Sequence, residues 1–472
     1  MVFSSILFLS FFLPLFLGLF YLSPQPLKKW IIVFFSLIFY AWGAPVFVFF
    51  LLGSCLIDFQ LCKYFGKEHS NRKKYLVASL TLNVGLLCYF KYANFFLINL
   101  SSAGEQLGFN ALSFKEILLP IGISFFTFQK ISYALDVYSG NNKKLEGFLD
   151  YLLYIVMFPQ LIAGPIVRFK DIHLQLLGFS NNKFDKKLHG MYRFIIGLSK
   201  KVLIANTCAL LVAQLNGLGT DAMTSADAWM ASFAYCFQIY FDFAGYSDMA
   251  IGLGLMIGFQ FPENFNFPYL AKSITEFWKR WHMTLGLWMR DYLYIPLGGN
   301  RGSSYRTYLN LGLVFLISGL WHGANWNFLV WGAYHGCFLI LERLFLSKIL
   351  NKITGFLRIF YTFSVVLISW VFFSMDLNAA FIFLEKMISF SGSQLSINIS
   401  TKTLTILILG IICSFGAVNK TIEHYANSLP EKLAMLSWRG SLAVFPLMLL
   451  LLSMAYVWLM NAGFNPFIYY RF

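Results

Sequence analysis

Two histidines flanked by tryptophan stand in otherwise apolar sequence: His322 within SGLWHGANWNFLVWGAYHG (318–336) and His282 within TEFWKRWHMTLGLWMRDYLYIPLGGNR (275–301). A neutral imidazole titrates near physiological pH and can take a proton from a hydroxyl or thiol, so His322 suits a general base in acyl transfer, with His282 orienting the donor or sharing the proton. An ionisable group at membrane depth is costly and persists mainly where it faces a cavity and takes part in chemistry or transport. The plainer alternatives are a bundle histidine satisfied by a hydrogen bond, for His322, and an interfacial histidine, for His282. The active centre is expected at these two residues. Lys279, Arg280 and Arg290 surround His282 in sequence. Cationic side chains bind phosphate through charge and hydrogen bonds, so these three are the expected contacts to a phosphate-bearing donor such as coenzyme A or a phosphopantetheine carrier.

The remaining ionisable residues carry weaker patterns. His335 would point away from His322 on a straight helix, at a net rotation of about 220°, and is read as structural. His69, His173, His189 and His424 are expected in polar loops without metal-ligand spacing, and the seven cysteines lack a CxxC pair, so no metal site is expected. Asp242 and Asp248 lie about 120° apart on a helix, which is not the arrangement of a paired-carboxylate catalyst. Lys91, between Phe90 and Tyr92, is expected to snorkel towards an interface. Neither a Gly-rich nucleotide loop nor HExxH or GxSxG occurs.

The elements that must position these groups are membrane helices. Of 472 residues 58% are hydrophobic, 19% aromatic and only 12% charged, with mean hydropathy +0.66, a composition foreign to soluble domains. Apolar runs able to cross a ~30 Å hydrocarbon core recur about eleven times, which predicts one all-α, multi-pass domain over residues 1–472, with re-entrant and interfacial helices among the spans. The net charge of +15 is dispersed in short clusters between apolar runs, among them Lys28-Lys29, Arg72 to Lys74, Lys143-Lys144 and Lys186-Lys187. That pattern fits the positive-inside rule and argues against a nucleic-acid partner. The first apolar run lacks a basic leader and is expected to stay as a helix, with the N-terminus outside. Pro45 should split Trp30 to Leu61 into two helices, which returns the cluster from Lys67 to Lys74 to the cytoplasm beside Lys28-Lys29.

Leu118 to Gly140, with Gln129, Lys130 and Asp136, reads as a helix facing protein or water on one side. The prolines and glycine of Phe158 to Phe169 predict a broken, re-entrant element near the chamber. Lys170 to Met191 reads as a cytoplasmic amphipathic loop, Gln260 to Tyr308 as a long functional connection with an interfacial helix around His282, and Phe315 to Leu344 as a span carrying His322 and His335. Broken helices with buried ions also mark transporters and flippases, but no internal repeat supports that class.

Five segments, FPQLIAGPIVR, FDFAGYSDMAIGLGLMIGF, FWKRWHMTLGLWMRDYLYIPLGGNR, SGLWHGANWNFLVWGAYHG and the closing NPFIYYRF, together resemble the membrane-bound O-acyltransferase family, in particular its bacterial alginate O-acetylation branch. The resemblance spans almost the whole chain. It implies an acyltransferase of the bacterial inner membrane, its helices bundled around a central reaction chamber, with His322 at the family's essential histidine and His282 at its second frequent position. It further implies an acyl thioester such as acetyl-CoA reached from the cytoplasm, no bound cofactor, an acetyl group delivered outside, and a separate periplasmic acetyltransferase partner that completes O-acetylation of a polysaccharide. D-alanyl transfer to teichoic acid is the alternative within the same family.

Overall fold

The computed structural model describes residues 1–66, 69–178, 184–416, 438–461 and Ile468, and among them the regular structure is helical throughout. The N-terminal third begins with α1 (Leu13–Leu22) and α2 (Gln25–Gly43), then α3 (Phe47–Cys62) and α4 (Arg72–Leu87). Proline sits in the first turn of α1 and of α2, where its missing N–H costs nothing. Ala44 leaves helical geometry just before Pro45, so the stretch from Trp30 to Leu61 is two helices, as the sequence predicts. A π-helical turn, Cys88–Tyr92, joins α4 to α5 (Ala93–Gln106).

A buried group follows: α6 (Ile123–Tyr138), α7 (Phe148–Val156), α8 (Phe158–Leu161) and α9 (Phe169–Leu177). The expected one-sided face of α6 is corrected here, because protein covers it on nearly every side and only Leu135 and Tyr138 are partly open. The break expected at Phe158 to Phe169 is present and wholly buried. Lys170 to Met191 is not a loop: its described parts belong to α9 and to α10 (Phe184–Ser199).

Helix α10 runs through the π-helical turn Lys200–Ala205 into α11 (Asn206–Asn216). After the short α12 (Gly219–Ala222) comes α13 (Ser225–Ile257), the 33-residue axis of the bundle. Thr224 and Asp227 form a capping box at its start, and Gly258, at φ +102°, ends it. Helices α10 and α13 touch backbone to backbone. A Cβ on Gly252 would stand 2.5 Å from the Gly190 carbonyl oxygen, and one on Gly197 would stand 2.5 Å from that of Gly245. Ion pairs lock the same seam, Lys201 to Asp242 and both Arg193 and Lys200 to Asp248, each at 2.7 Å. The two aspartates thus serve separate cations.

The connection from Gln260 to Tyr308 contains α14 (Ile274–Arg280), α15 (Met283–Met289) and the start of α16 (Ser304–His322). The single interfacial helix expected there is broken at His282. Phe315 to Leu344 is likewise no single span: α16 ends at His322 and α17 (Trp326–Leu341) returns antiparallel to it. Helices α18 (Ser347–Leu350), α19 (Gly355–Ser374), α20 (Leu377–Ile388), α21 (Thr401–Phe415) and α22 (Trp438–Asn461) complete the described bundle.

Seven described helical runs are long and apolar enough to cross a membrane, and Phe8–Leu22 and Thr401–Phe415 are apolar but shorter. Length and apolarity alone do not reproduce the eleven expected spans, because helices such as α13 carry polar residues that face other helices rather than lipid. The basic clusters gather at one end of the bundle: Lys29 pairs with Asp150 at 2.7 Å, Lys144 reaches the Lys63 carbonyl, Arg72 the Tyr138 carbonyl, and Lys187 lies over the Tyr21 ring.

Candidate active site

His322 is the last residue of α16, and its position depends on a tight turn. Gly323 is the residue that permits it, since a Cβ there would lie 2.2 Å from the Phe328 ring. Asn325 then caps α17. Across the resulting hairpin a Cβ on Gly319 would meet the Phe328 carbonyl oxygen at 2.2 Å and one on Gly332 the Phe315 carbonyl oxygen at 2.4 Å, so the helices approach to backbone contact. The His322 ring, 2% exposed, packs at centroid distances of 4.9 Å from Trp321, 5.0 Å from Trp331 and 5.2 Å from Phe373. His335 is fully buried and shares Trp331 with His322, at 5.1 Å. The straight-helix rotation between the two histidines does not apply, because the chain reverses between them.

His282 sits between α14 and α15 in left-handed geometry, φ +44° and ψ +52°, a conformation that is unusual for a residue with a side chain and is found disproportionately at functional positions. Its Nδ1 lies 3.0 Å from Asn264 Oδ1. That same oxygen accepts from the Thr284 hydroxyl at 2.9 Å and the Thr284 N–H at 3.3 Å, while the Asn264 amide nitrogen donates to Ser247 at 3.0 Å. An oxygen in this role accepts, so Nδ1 carries the proton and Nε2 bears the lone pair a base requires. The broken segment before α9 joins this network: the Ile166 N–H donates to Thr284 Oγ1 at 3.0 Å. His282 and His322 both pack against Trp321, with His282 at 6.0 Å. Trp288 and Phe128 extend the aromatic wall, stacked at 3.7 Å, with Phe128 5.4 Å from Trp321.

A pocket of about 240 Å³ opens beside His322, lined also by Lys91, Asn94, Glu116 and Gly323. Lys91 does not snorkel. It is 7% exposed and donates to the Trp321 carbonyl oxygen and to Ser124 Oγ at 3.2 Å. Its neighbour Tyr92 donates to the Leu320 carbonyl at 3.1 Å.

The expected donor contacts are not gathered in one patch of free charge. Lys279 is exposed, Arg280 pairs with Glu276 at 2.9 Å, and Arg290, with its side chain 55% exposed, pairs with Asp291 at 2.7 Å. Asp291 also takes Arg168 at 2.7 Å and Lys170 at 2.6 Å. Burial alone would raise the Asp291 carboxyl, but hydrogen bonds from Arg290 and Lys170 and their positive charges hold it below the usual carboxylate value. Lys170 also donates its backbone N–H to Asp136, two residues before Tyr138, so this cluster lies towards the basic end of the bundle.

Sequence reading placed Lys91 at an interface rather than at the pocket, and it missed Asn264 and Glu342. Buried Glu342 accepts the Ile274 and Thr275 N–H groups at 2.6 and 2.9 Å and so caps α14, the helix leading to His282. The available signal was a charged residue in an apolar run, present for Lys91 and Glu342; an asparagine in a polar loop gave none. Elsewhere, His173 lies buried in α9 rather than in a loop, while His424 and most of the closing NPFIYYRF motif fall outside the described residues.

A helical bundle of membrane-spanning length holds two buried histidines at one aromatic wall, His322 beside a pocket, which defines a polytopic membrane protein with an enclosed candidate site. The membrane-bound O-acyltransferase family model matches residues 71–383, and the chain belongs to that family. It is 44% identical over 400 residues to a probable alginate O-acetylase of Pseudomonas aeruginosa, covering 84% of this chain and 76% of the relative. It is 35% identical to a peptidoglycan O-acetyltransferase of Helicobacter pylori across 100% of this chain and 98% of that protein. A teichoic acid D-alanyltransferase of Streptococcus thermophilus is 27% identical over 56% of this chain and 70% of its own length. The protein is a multi-pass membrane O-acyltransferase.

Proposed function

We propose that the chain, acting as one membrane domain, takes an acetyl group from a cytoplasmic thioester such as acetyl-CoA and delivers it across the inner membrane for O-acetylation of an exported or cell-wall polysaccharide. A periplasmic acetyltransferase would complete the transfer. The observation that carries this reading is the convergence of His282 and His322 on Trp321, with His322 in the wall of a pocket. His322 acts as the base that activates the acceptor, or is itself transiently acylated, and His282 orients the donor or shares the proton. The direction is supported by distance along the helix. Arg72, at the basic end, and Lys91, at the pocket, are separated by nineteen residues of continuous helix, about 28 Å at ~1.5 Å per residue.

Arg290, two helical turns beyond His282 and towards the basic end, is the best situated of the three donor contacts, with Lys279 and Arg280 nearby in sequence. The similarity to alginate and peptidoglycan O-acetylating relatives over most of the chain favours acetyl over D-alanyl transfer.

His322→Ala should remove acyl product while leaving expression and membrane insertion near normal, because loss of a general base typically costs about 10² to 10⁴-fold. Activity above a few percent of wild type would sink the role. Neutralising Arg280 and Arg290 together should raise the donor KM and weaken its salt dependence. An unchanged KM with reduced kcat would assign those charges to another step.

A further inference from the structure

We propose that Lys91 is an anion-stabilising catalytic residue: its buried ammonium receives the negative charge that develops on the acyl carbonyl oxygen in the pocket beside His322. The inference rests on acyl transfer at His322, as read above, but not on which thioester supplies the acyl group.

The π-helical turn Cys88–Tyr92 shifts the register of the α4–α5 helix so that Lys91 and Tyr92 both reach the C-terminal end of α16. Both are hydrogen-bonded to carbonyl oxygens there, but only Lys91 brings charge. An ammonium has three N–H donors. Among the described residues, two are directed to the Trp321 carbonyl and to Ser124, both uncharged, and no carboxylate oxygen lies within ion-pair distance of Nζ. Glu116 shares the pocket wall but is exposed and makes no ion pair with it. The Trp321 ring, 5.7 Å from Nζ, supplies a further weak attraction for the cation. A buried cation held only by neutral acceptors is poorly compensated in its ground state, so it is best satisfied when negative charge enters the pocket it lines.

Such charge is what the reaction generates. His322 removes the proton from the acceptor hydroxyl as its oxygen bonds to the acyl carbonyl carbon, and the carbonyl π pair moves onto oxygen. The third Lys91 N–H donates to that oxyanion. When the carbonyl reforms, the carbon–sulfur bond breaks and the departing thiolate takes the proton from the imidazolium, leaving an acetyl ester and a free thiol. A donor fixed in advance at the developing charge acts mainly on kcat.

The test uses the full chain in lipid nanodiscs and measures thiol release from acetyl-CoA and from an acetylated phosphopantetheine carrier, with water or an oligomannuronate as acceptor. Lys91→Met should lower kcat on whichever donor the wild type uses by about 10²-fold or more, with donor KM changed less than about threefold. Lys91→Arg should recover part of that loss. Tyr92→Phe removes the adjacent hydrogen bond to α16 without removing charge and should keep kcat within about threefold. Equal losses in Lys91→Met and Tyr92→Phe would overturn the proposal in favour of a purely structural cap, as would wild-type kcat in Lys91→Met. A raised acceptor KM with unchanged kcat would also overturn it, showing that Lys91 binds a carboxylate of the acceptor instead. Wild-type preference between the two donors tests the donor reading separately, and neither preference alters the Lys91 ratio.

Discussion

At the scale of single residues, the two candidate histidines are held by side chains outside the pair. Asn264 is the clearest. It fixes the tautomer of His282 through one oxygen, holds Thr284 through the same oxygen, and is itself oriented by Ser247. Outer partners of this kind set ring orientation, and a ring released from them loses reactive geometry rather than reactivity. Asn264→Leu is therefore expected to lower kcat about tenfold or more, while Asn264→Asp, which keeps an acceptor facing Nδ1, should retain most of it. Equal activity in the leucine and aspartate variants would mean that the orientation of His282 is irrelevant to the rate. The left-handed backbone at His282 belongs to the same logic, since an otherwise unfavourable conformation places this ring at Trp321 instead of continuing α14.

At the scale of elements, breaks and π-helical turns do the positioning. The turns Cys88–Tyr92, Lys200–Ala205, Arg290–Tyr294 and Glu342–Leu346 each carry a charged residue that pairs with another segment: Lys91, Lys201, Asp291 and Glu342. An extra residue in a turn re-aims the side chains around it without ending the helix, which suits a buried charge that must meet a fixed partner. The α16–α17 hairpin works by the opposite means, with glycines removing side chains so that two backbones meet and His322 lands beside Trp331. Gly332→Leu should force these helices apart, lower the Tm of the detergent-solubilised protein by several degrees and reduce activity in parallel. Exposed Leu344 is a suitable reference, and its replacement by alanine should leave both quantities near wild type. Undiminished Tm in Gly332→Leu would show that the close approach is dispensable.

For the whole molecule, the exposed prediction is orientation. Lys29, Lys63, Arg72, Lys144 and Lys187 meet at one end through their contacts, while the His322 pocket lies most of a membrane thickness along α4 and its π-helical continuation. With the basic end in the cytoplasm, a cysteine at exposed Ser70 should react with an impermeant maleimide only after permeabilisation, and one at exposed Asn110, in the connection after α5, should react in intact cells. The background must lack the seven native cysteines. Labelling of Ser70→Cys from outside would invert the direction of acyl transfer. Asn182, a natural third probe in the stretch after α9, lies outside the described residues.

The sequence by itself determined what depends on composition and near neighbours. Apolar runs declared a membrane bundle, Pro45 divided α2 from α3, Pro159, Gly164 and Pro165 declared the buried break, and five motifs carried the family resemblance with His282 and His322 inside them. These are local properties, set by the cost of exposing backbone or charge to lipid and by the few conformations open to proline and glycine. Tertiary structure alone decided what those histidines meet. Lys91 reaches Trp321 across 230 residues of chain, Glu342 caps α14 across 68, and His335 joins His322 at one tryptophan because α16 stops at Gly323. No spacing rule reports such encounters, because their positions follow from packing between helices, where glycine contacts, π-helical turns and buried pairs are balanced over the whole bundle rather than along any one segment.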